Sequence, residues 1–78
     1  MKKLKLKLLE KDNKYEGIYY IDRYKRIWLK EGNKYIKPIR FDIYSHICKI
    51  NNIKPKTQIY NYYDHFGTID DDTIIVFN

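Results

Sequence analysis

Seventy-eight residues suffice for one domain, 1–78, with one small core. Hydrophobic residues at 44% and charged residues at 33% point to a folded chain rather than a disordered one, and a single cysteine excludes a disulfide framework or a zinc ribbon. No run approaches the roughly 20 apolar residues of a membrane span, and Lys5 and Lys7 interrupt the apolar stretch a secretion signal would need after Met1-Lys2-Lys3, so a cytoplasmic location is expected.

The formal charge of +6 excludes an acidic mimic of nucleic acid. Lys, Ile, Tyr and Asn account for 41 of the 78 residues and there is no alanine, the bias a low-GC genome imposes, so where the charge sits says more than its sign. Residues 1–40 hold 13 Lys/Arg against 5 Asp/Glu, whereas residues 41–78 hold 3 against 5. That asymmetry predicts a polar molecule with one basic surface, built mainly from a basic β-rich half, 1–40, and less from a second half, 41–78, of two helices plus a strand.

In chain order, Leu4, Leu6 and Leu8 alternate with Lys3, Lys5 and Lys7, a period of two that predicts a strand with one buried and one wet, cationic face. Lys11-Asp12-Asn13-Lys14 is turn chemistry, and Tyr15 to Asp22 suits a second strand. Asp22-Arg23 turns the chain into a third strand, Tyr24 to Lys30, and Glu31-Gly32-Asn33 is a hairpin signal before a fourth, Lys34 to Arg40. Pro38 cannot donate to a ladder, so the fourth strand belongs at an edge or ends there.

The third strand carries the most information. Ile27 and Leu29 share one face; Tyr24, Arg26, Trp28 and Lys30 share the other. Cations interleaved with flat rings suit single-stranded nucleic acid, because bases stack on rings while amines and guanidinium groups meet phosphates. The same pattern also suits a chain that spends its indole and most of its tyrosines on the core and its lysines on keeping an edge soluble. Both readings stay open at this level, and the exposure of Trp28 separates them.

In the second half, Asp42 is placed to cap a helix from Ile43 to about Asn51, with Ile43, Ile47 and Ile50 forming an apolar stripe flanked by Tyr44 and Cys48. Pro55 holds Lys54 extended in a short connection. Thr57 can cap a second helix, Gln58 to Phe66, whose Ile59, Tyr62, Tyr63 and Phe66 fall at helical spacing before a Gly67 stop, although TQIYNYY also has strand propensity. Thr73 to Phe77 closes the chain as a short strand.

Residues 47–67 resemble the helix-turn-helix of TetR-type repressors: Ile47-Cys48 is similar to the opening pair, Ile53 to the turn aliphatic, and Ile59-Tyr60-Asn61-Tyr62-Tyr63 to the aromatic run, with Asn52 where that family has a turn glycine. Lys54-Pro55-Lys56-Thr57 with Tyr62-Tyr63-Asp64 and Gly67 also resembles a stretch of MerR-type regulators. The resemblance implies a recognition helix in the major groove, with Gln58 and Asn61 at base edges and Lys54 and Lys56 on phosphates. An ordinary helical hairpin covering one face of the sheet accounts for the same stripes.

Catalytic constellations are missing. Ser45 and His46 are helix neighbours that point different ways, Cys48 sits beside the apolar stripe, and the only glycines are Gly17, Gly32 and Gly67, which form no phosphate loop. Asp70-Asp71-Asp72 with Asp64 and His65 could hold magnesium, but consecutive carboxylates before a strand also make an ordinary solvated turn.

The expected fold is therefore α+β: a small antiparallel sheet of three to four N-terminal strands, two helices packed on one face and a short C-terminal strand. The expected function is binding of nucleic acid without catalysis or cofactor, through Lys3, Lys5, Lys7, Tyr24, Arg26, Trp28, Lys30, Lys54, Lys56, Gln58 and Asn61. Two other classes stay open. Small size and lack of chemistry leave room for a phage or mobile-element protein that binds and inhibits a host protein or ribonucleoprotein, of the anti-CRISPR type. A Lys/Leu edge strand, residues 3–9, could also pair with its twin in a structural homodimer.

Overall fold

Alternation over the first ten residues produces β1, Lys3–Leu8, in which Leu4 and Leu6 are buried and the three lysines are exposed. The computed structural model describes residues 2–11, 14–38, 40–56 and 67–78. Its remaining strands are β2, Ile18–Asp22; β3, Ile27–Glu31; β4, Lys34–Ile36; and β5, Ile74–Phe77; the helix is α1, Phe41–Ile50. The architecture is α+β, as expected. The sheet is mixed rather than antiparallel: its order is β4-β3-β2-β1-β5, and β5 lies parallel to β1 with Leu4 beside Ile75 and Leu6 beside Phe77. The expected second helix, 58–66, lies outside the described residues.

Local chemistry sets the turns. Arg23, Tyr24 and Lys25 form a three-residue hairpin loop closed by Lys25 N–H donating to the Asp22 carbonyl at 3.1 Å, with Lys25 left-handed at φ 70. Residues 24–26 thus belong to the loop and its exit, not to the strand. Gly32, φ 62, takes the first position of the two-residue β3–β4 loop, where a positive φ is required. Strand β4 stops at Ile36, before the buried Pro38. Its outer edge is capped by Gly67–Ile69: Lys37 N–H donates to the Gly67 carbonyl at 2.7 Å, and Ile69 N–H to the Tyr35 carbonyl at 3.1 Å.

Helix α1 starts two residues earlier than Asp42 capping would have it. Arg40 is the N-cap residue, without a side-chain cap bond, and Asp42 sits in the first turn, where its charge suits the helix dipole and pairs with Arg40 at 3.1 Å. The buried residues are Tyr44, Ile47 and Cys48, so the stripe is rotated away from Ile50, which is exposed. The C-terminus is a Schellman motif: Asn52 is left-handed at φ 58, Asn52 N–H donates to the Lys49 carbonyl at 3.2 Å, and Ile53 N–H to the Cys48 carbonyl at 2.8 Å. Ile53 then packs against the same cluster as Cys48. Burial pushes the Cys48 thiol pKa up, in keeping with a small core residue rather than a nucleophile.

Both faces of the sheet are apolar, and this overturns the expected layering. On the α1 side, Tyr19 and Ile21 of β2 and Ile27 of β3 pack with Tyr44, Ile47 and Cys48. On the opposite side, Leu4 and Leu6 of β1 pack with Trp28 of β3, joined by Tyr20, Tyr35, Ile69 and Ile75. The leucines of β1 and the isoleucine of β3 thus face opposite ways. Strand β1 is hydrogen-bonded by β2 on one side and β5 on the other. It is an interior strand, so the homodimer through a β1 edge has no free edge to use.

Candidate nucleic-acid interface

The helix covers β2 and β3 and leaves β1 bare, since its core cluster takes from the β1 side only Leu9. Lys3, Lys5 and Lys7 therefore stand in an exposed row on the helix side of the sheet, about 6.5 Å apart along the strand. Across the strands, Lys5 is flanked by Val76 of β5 and opens onto a groove that Arg23 also lines. Lys7 and Lys25 line the next groove. Lys25, Asn52 and Ile53 continue into a further groove bounded by Lys54 and Lys56. A separate cleft, lined by Lys2, Lys3 and Arg26 with Leu4, Trp28 and Ile69, belongs to the opposite face of the sheet. On the helix side, seven cationic residues line these three grooves, against the one carboxylate of Glu10. A strip of that sign draws in polyanions.

The helix end is tied to this strip. Asn51 accepts from the Glu10 backbone N–H at 2.9 Å and donates from its side chain to the Ile47 carbonyl at 2.8 Å. One side chain thus joins the exit of β1 to the last turn of α1, which sets Lys54 and Lys56 beyond the Lys7 end of the row.

Asp22 organises the other end. It is buried, and its carboxylate accepts four bonds: Tyr24 N–H at 2.8 Å and Arg26 N–H at 2.9 Å on Oδ1, Arg26 Nε at 2.7 Å and Trp28 Nε1 at 3.0 Å on Oδ2. A buried carboxylate with this many donors is satisfied, and it locks both the hairpin loop and the two side chains that follow it. The Arg26 guanidinium lies 5.3 Å from the Tyr24 ring centre and 5.2 Å from that of Trp28.

The structure sorts the predicted contact residues. Lys3, Lys5, Lys7, Lys54 and Lys56 border grooves on the helix side of the sheet, whereas Tyr24 and Arg26 line a cleft with Leu4, Trp28 and Ile69 on the opposite side. Trp28 does not serve as a stacking platform: it is 1% exposed, packed on Leu4 and Leu6, with Ile69 in the same cluster. The wet aromatic stripe on β3 fails because both faces of that strand are covered. Lys30, cross-strand from Ile18 and Tyr35, shares the face of Trp28 and is turned away from the lysine row. Gln58 and Asn61 lie outside the described residues. Sequence reasoning missed Lys2, Arg23 and Lys25. The signal available for the last two was the loop: a three-residue turn after Asp22 sets Arg23 across from Lys5, whereas a strand begun at Tyr24 hides Lys25 inside it.

Among the described residues no three His, Cys, Asp or Glu side chains group as metal ligands, and no helix is long and apolar enough to cross a membrane. Comparison with protein-family models, with curated proteins and with solved structures found no match to this chain.

Proposed function

We propose that this protein binds nucleic acid without catalysing a reaction on it, by laying the phosphate backbone along the basic strip. The observation that carries the reading is the exposed row Lys3, Lys5 and Lys7, flanked by Arg23 and extended at the Lys7 end by Lys25, Lys54 and Lys56. Regular spacing of single charges suits a repeating polyanion, and lysine ammonium groups suit contact with the phosphate backbone. The test is fluorescence anisotropy with single- and double-stranded oligonucleotides across a salt series. The wild type should bind with a steep salt dependence, and K3Q/K5Q/K7Q should weaken binding and lower the log–log slope by about 2–3, since each phosphate contact contributes roughly 0.7–0.9. No binding of any oligonucleotide at low salt would remove the reading.

One feature favours a second reading. Strand β5 is an open edge among the described residues, with Ile74 and Val76 exposed beside the lysine row and Phe77 exposed on the other face. An apolar edge flanked by cations also suits an acidic protein or ribonucleoprotein surface, as an inhibitor of the anti-CRISPR type would need. Binding that requires the protein component of such a complex, with naked nucleic acid left unbound, selects this reading.

A further inference from the structure

The two edges of the sheet are treated differently. Strand β4 is capped by Gly67–Ile69, whereas β5 carries none of the lysines or prolines that usually blunt an edge: Ile74–Phe77 is uncharged, with Ile74, Val76 and Phe77 exposed. Its backbone is preset for one more strand. Ile74 N–H donates to the Lys2 carbonyl at 2.8 Å and Asn78 N–H to the Leu6 carbonyl at 2.9 Å. Residues 74, 76 and 78 thus turn their backbone groups toward β1, and Ile75 and Phe77 turn theirs outward. No strand meets them there among the described residues.

We propose that β5 pairs antiparallel with β5 of a second copy of this chain, with Val76 on the two-fold axis. The outward groups set the register. Ile75 and Phe77 of one copy exchange N–H···O bonds with Phe77 and Ile75 of the other, which leaves Val76 opposite its own twin in the closer, non-hydrogen-bonded pair. On the Leu6 face, Phe77 stands opposite Ile75 of the other copy; on the lysine face the two Val76 side chains meet. An added strand must bring apolar side chains to both faces in this register, and this strand's own order supplies them, so a second copy fits the edge better than an acidic segment. Pairing does not set the basic rows against each other. Three strand spacings hold the two β1 rows about 14 Å apart, beyond the roughly 8 Å screening length of physiological salt. Both rows then lie on one side of a continuous sheet, which enlarges the basic face without the pairing itself depending on the nucleic-acid reading. An edge of four residues is smaller than a standard interface, so the dimer should form as concentration rises.

The test joins cysteine cross-linking to sedimentation. In this register the two Val76 Cα atoms lie about 4.5 Å apart, within disulfide reach, whereas Ile74 faces Asn78 of the other copy and the two Ile74 Cα atoms stand about 14 Å apart. The two positions are similarly open, 37% and 40% exposed, and Cys48 is buried. Under mild oxidation V76C should therefore cross-link at least about tenfold faster than I74C. The wild-type chain should move from 9.7 kDa toward twice that mass between micromolar and millimolar concentration. V76K, which sets like charges opposite each other on the axis, should weaken the dimer about fivefold or more. F77P removes an outward donor and leaves the bonds to β1, so it should keep the chain monomeric, with Trp28 emission reporting an intact core. Equal cross-linking of V76C and I74C overturns the proposal, as do dimers that survive both V76K and F77P. A wild-type chain that stays at 9.7 kDa throughout also overturns it and leaves the edge to a different partner.

Discussion

Strands β1 and β3 are both interior strands, each hydrogen-bonded on two sides, yet they meet water differently. Strand β3 buries consecutive residues, Ile27 toward α1 and Trp28 toward Leu4 and Leu6. Strand β1 buries Leu4 and Leu6, leaves Leu8 exposed at its end, and presents lysines from the positions between. The difference is one of cover. A helix of ten residues is about 15 Å long, and α1 lies over β2 and β3, so the same side of the sheet is core at one end and open surface at the other. A flat basic row exists here because a short helix stops covering the sheet before β1.

The sharpest way to break this comparison is at Asp22. D22N keeps the shape but replaces an acceptor of two side-chain bonds, from Arg26 and Trp28, with a donor. It should cost about 3 kcal/mol or more, as for breaking a buried charged pair, measured by urea unfolding. A loss below about 1 kcal/mol would show that Asp22 does not hold the covered half together.

The cover over β3 also titrates. Burial pushes the Tyr44 phenol from 10.0 up to about 12, opposed by the Lys56 N–H that donates to its hydroxyl at 3.4 Å. Between those values the folded chain keeps a proton that the unfolded chain has released. This contribution is intact below pH 10 and drains as the pH rises from 10 through 12, by roughly 1.4 kcal/mol per pH unit at its steepest. Y44F should flatten that part of the alkaline loss in unfolding curves at pH 9 and pH 11; a wild-type and variant difference that stays constant with pH would refute it.

Smaller effects sharpen the contrast. Lys25, left-handed at φ 70, is strained as a non-glycine residue, so K25G should gain about 0.5–1 kcal/mol in stability while removing one charge from the strip. On β1, K5Q should shift stability by no more than about 0.5 kcal/mol, because its side chain packs in no core, and its effect should appear in oligonucleotide binding instead.

Much of the local structure is readable from the residues themselves. The Lys/Leu alternation of β1, the Gly32 hairpin and the Asn51-Asn52 helix end all follow from short-range chemistry, and the structure has each of them. The Asp22 hub was not readable, because its partners Arg26 and Trp28 reach it only after the loop has folded back. Neither was the burial of Trp28. Its alternation with Ile27 was read correctly, but the segment from Thr68 to Thr73, which leaves the β4 edge and leads into β5, brings Ile69 onto that side of the sheet. For the candidate site, Lys3, Lys5 and Lys7 follow from the strand alternation and Lys54 and Lys56 from the helix-turn-helix resemblance, while Arg23 and Lys25 required the loop length to be known.

What the amino-acid order determined by itself is a set of two-sided elements, their turns and a basic first half, because periodicity, turn chemistry and charge count are properties of neighbouring residues. Only the tertiary structure decided which side of each strand is covered, that β5 joins β1 in parallel, and which cations become neighbours. Alternation gives a strand two faces without saying which of them another layer will meet; that depends on how far a ten-residue helix reaches across a five-stranded sheet.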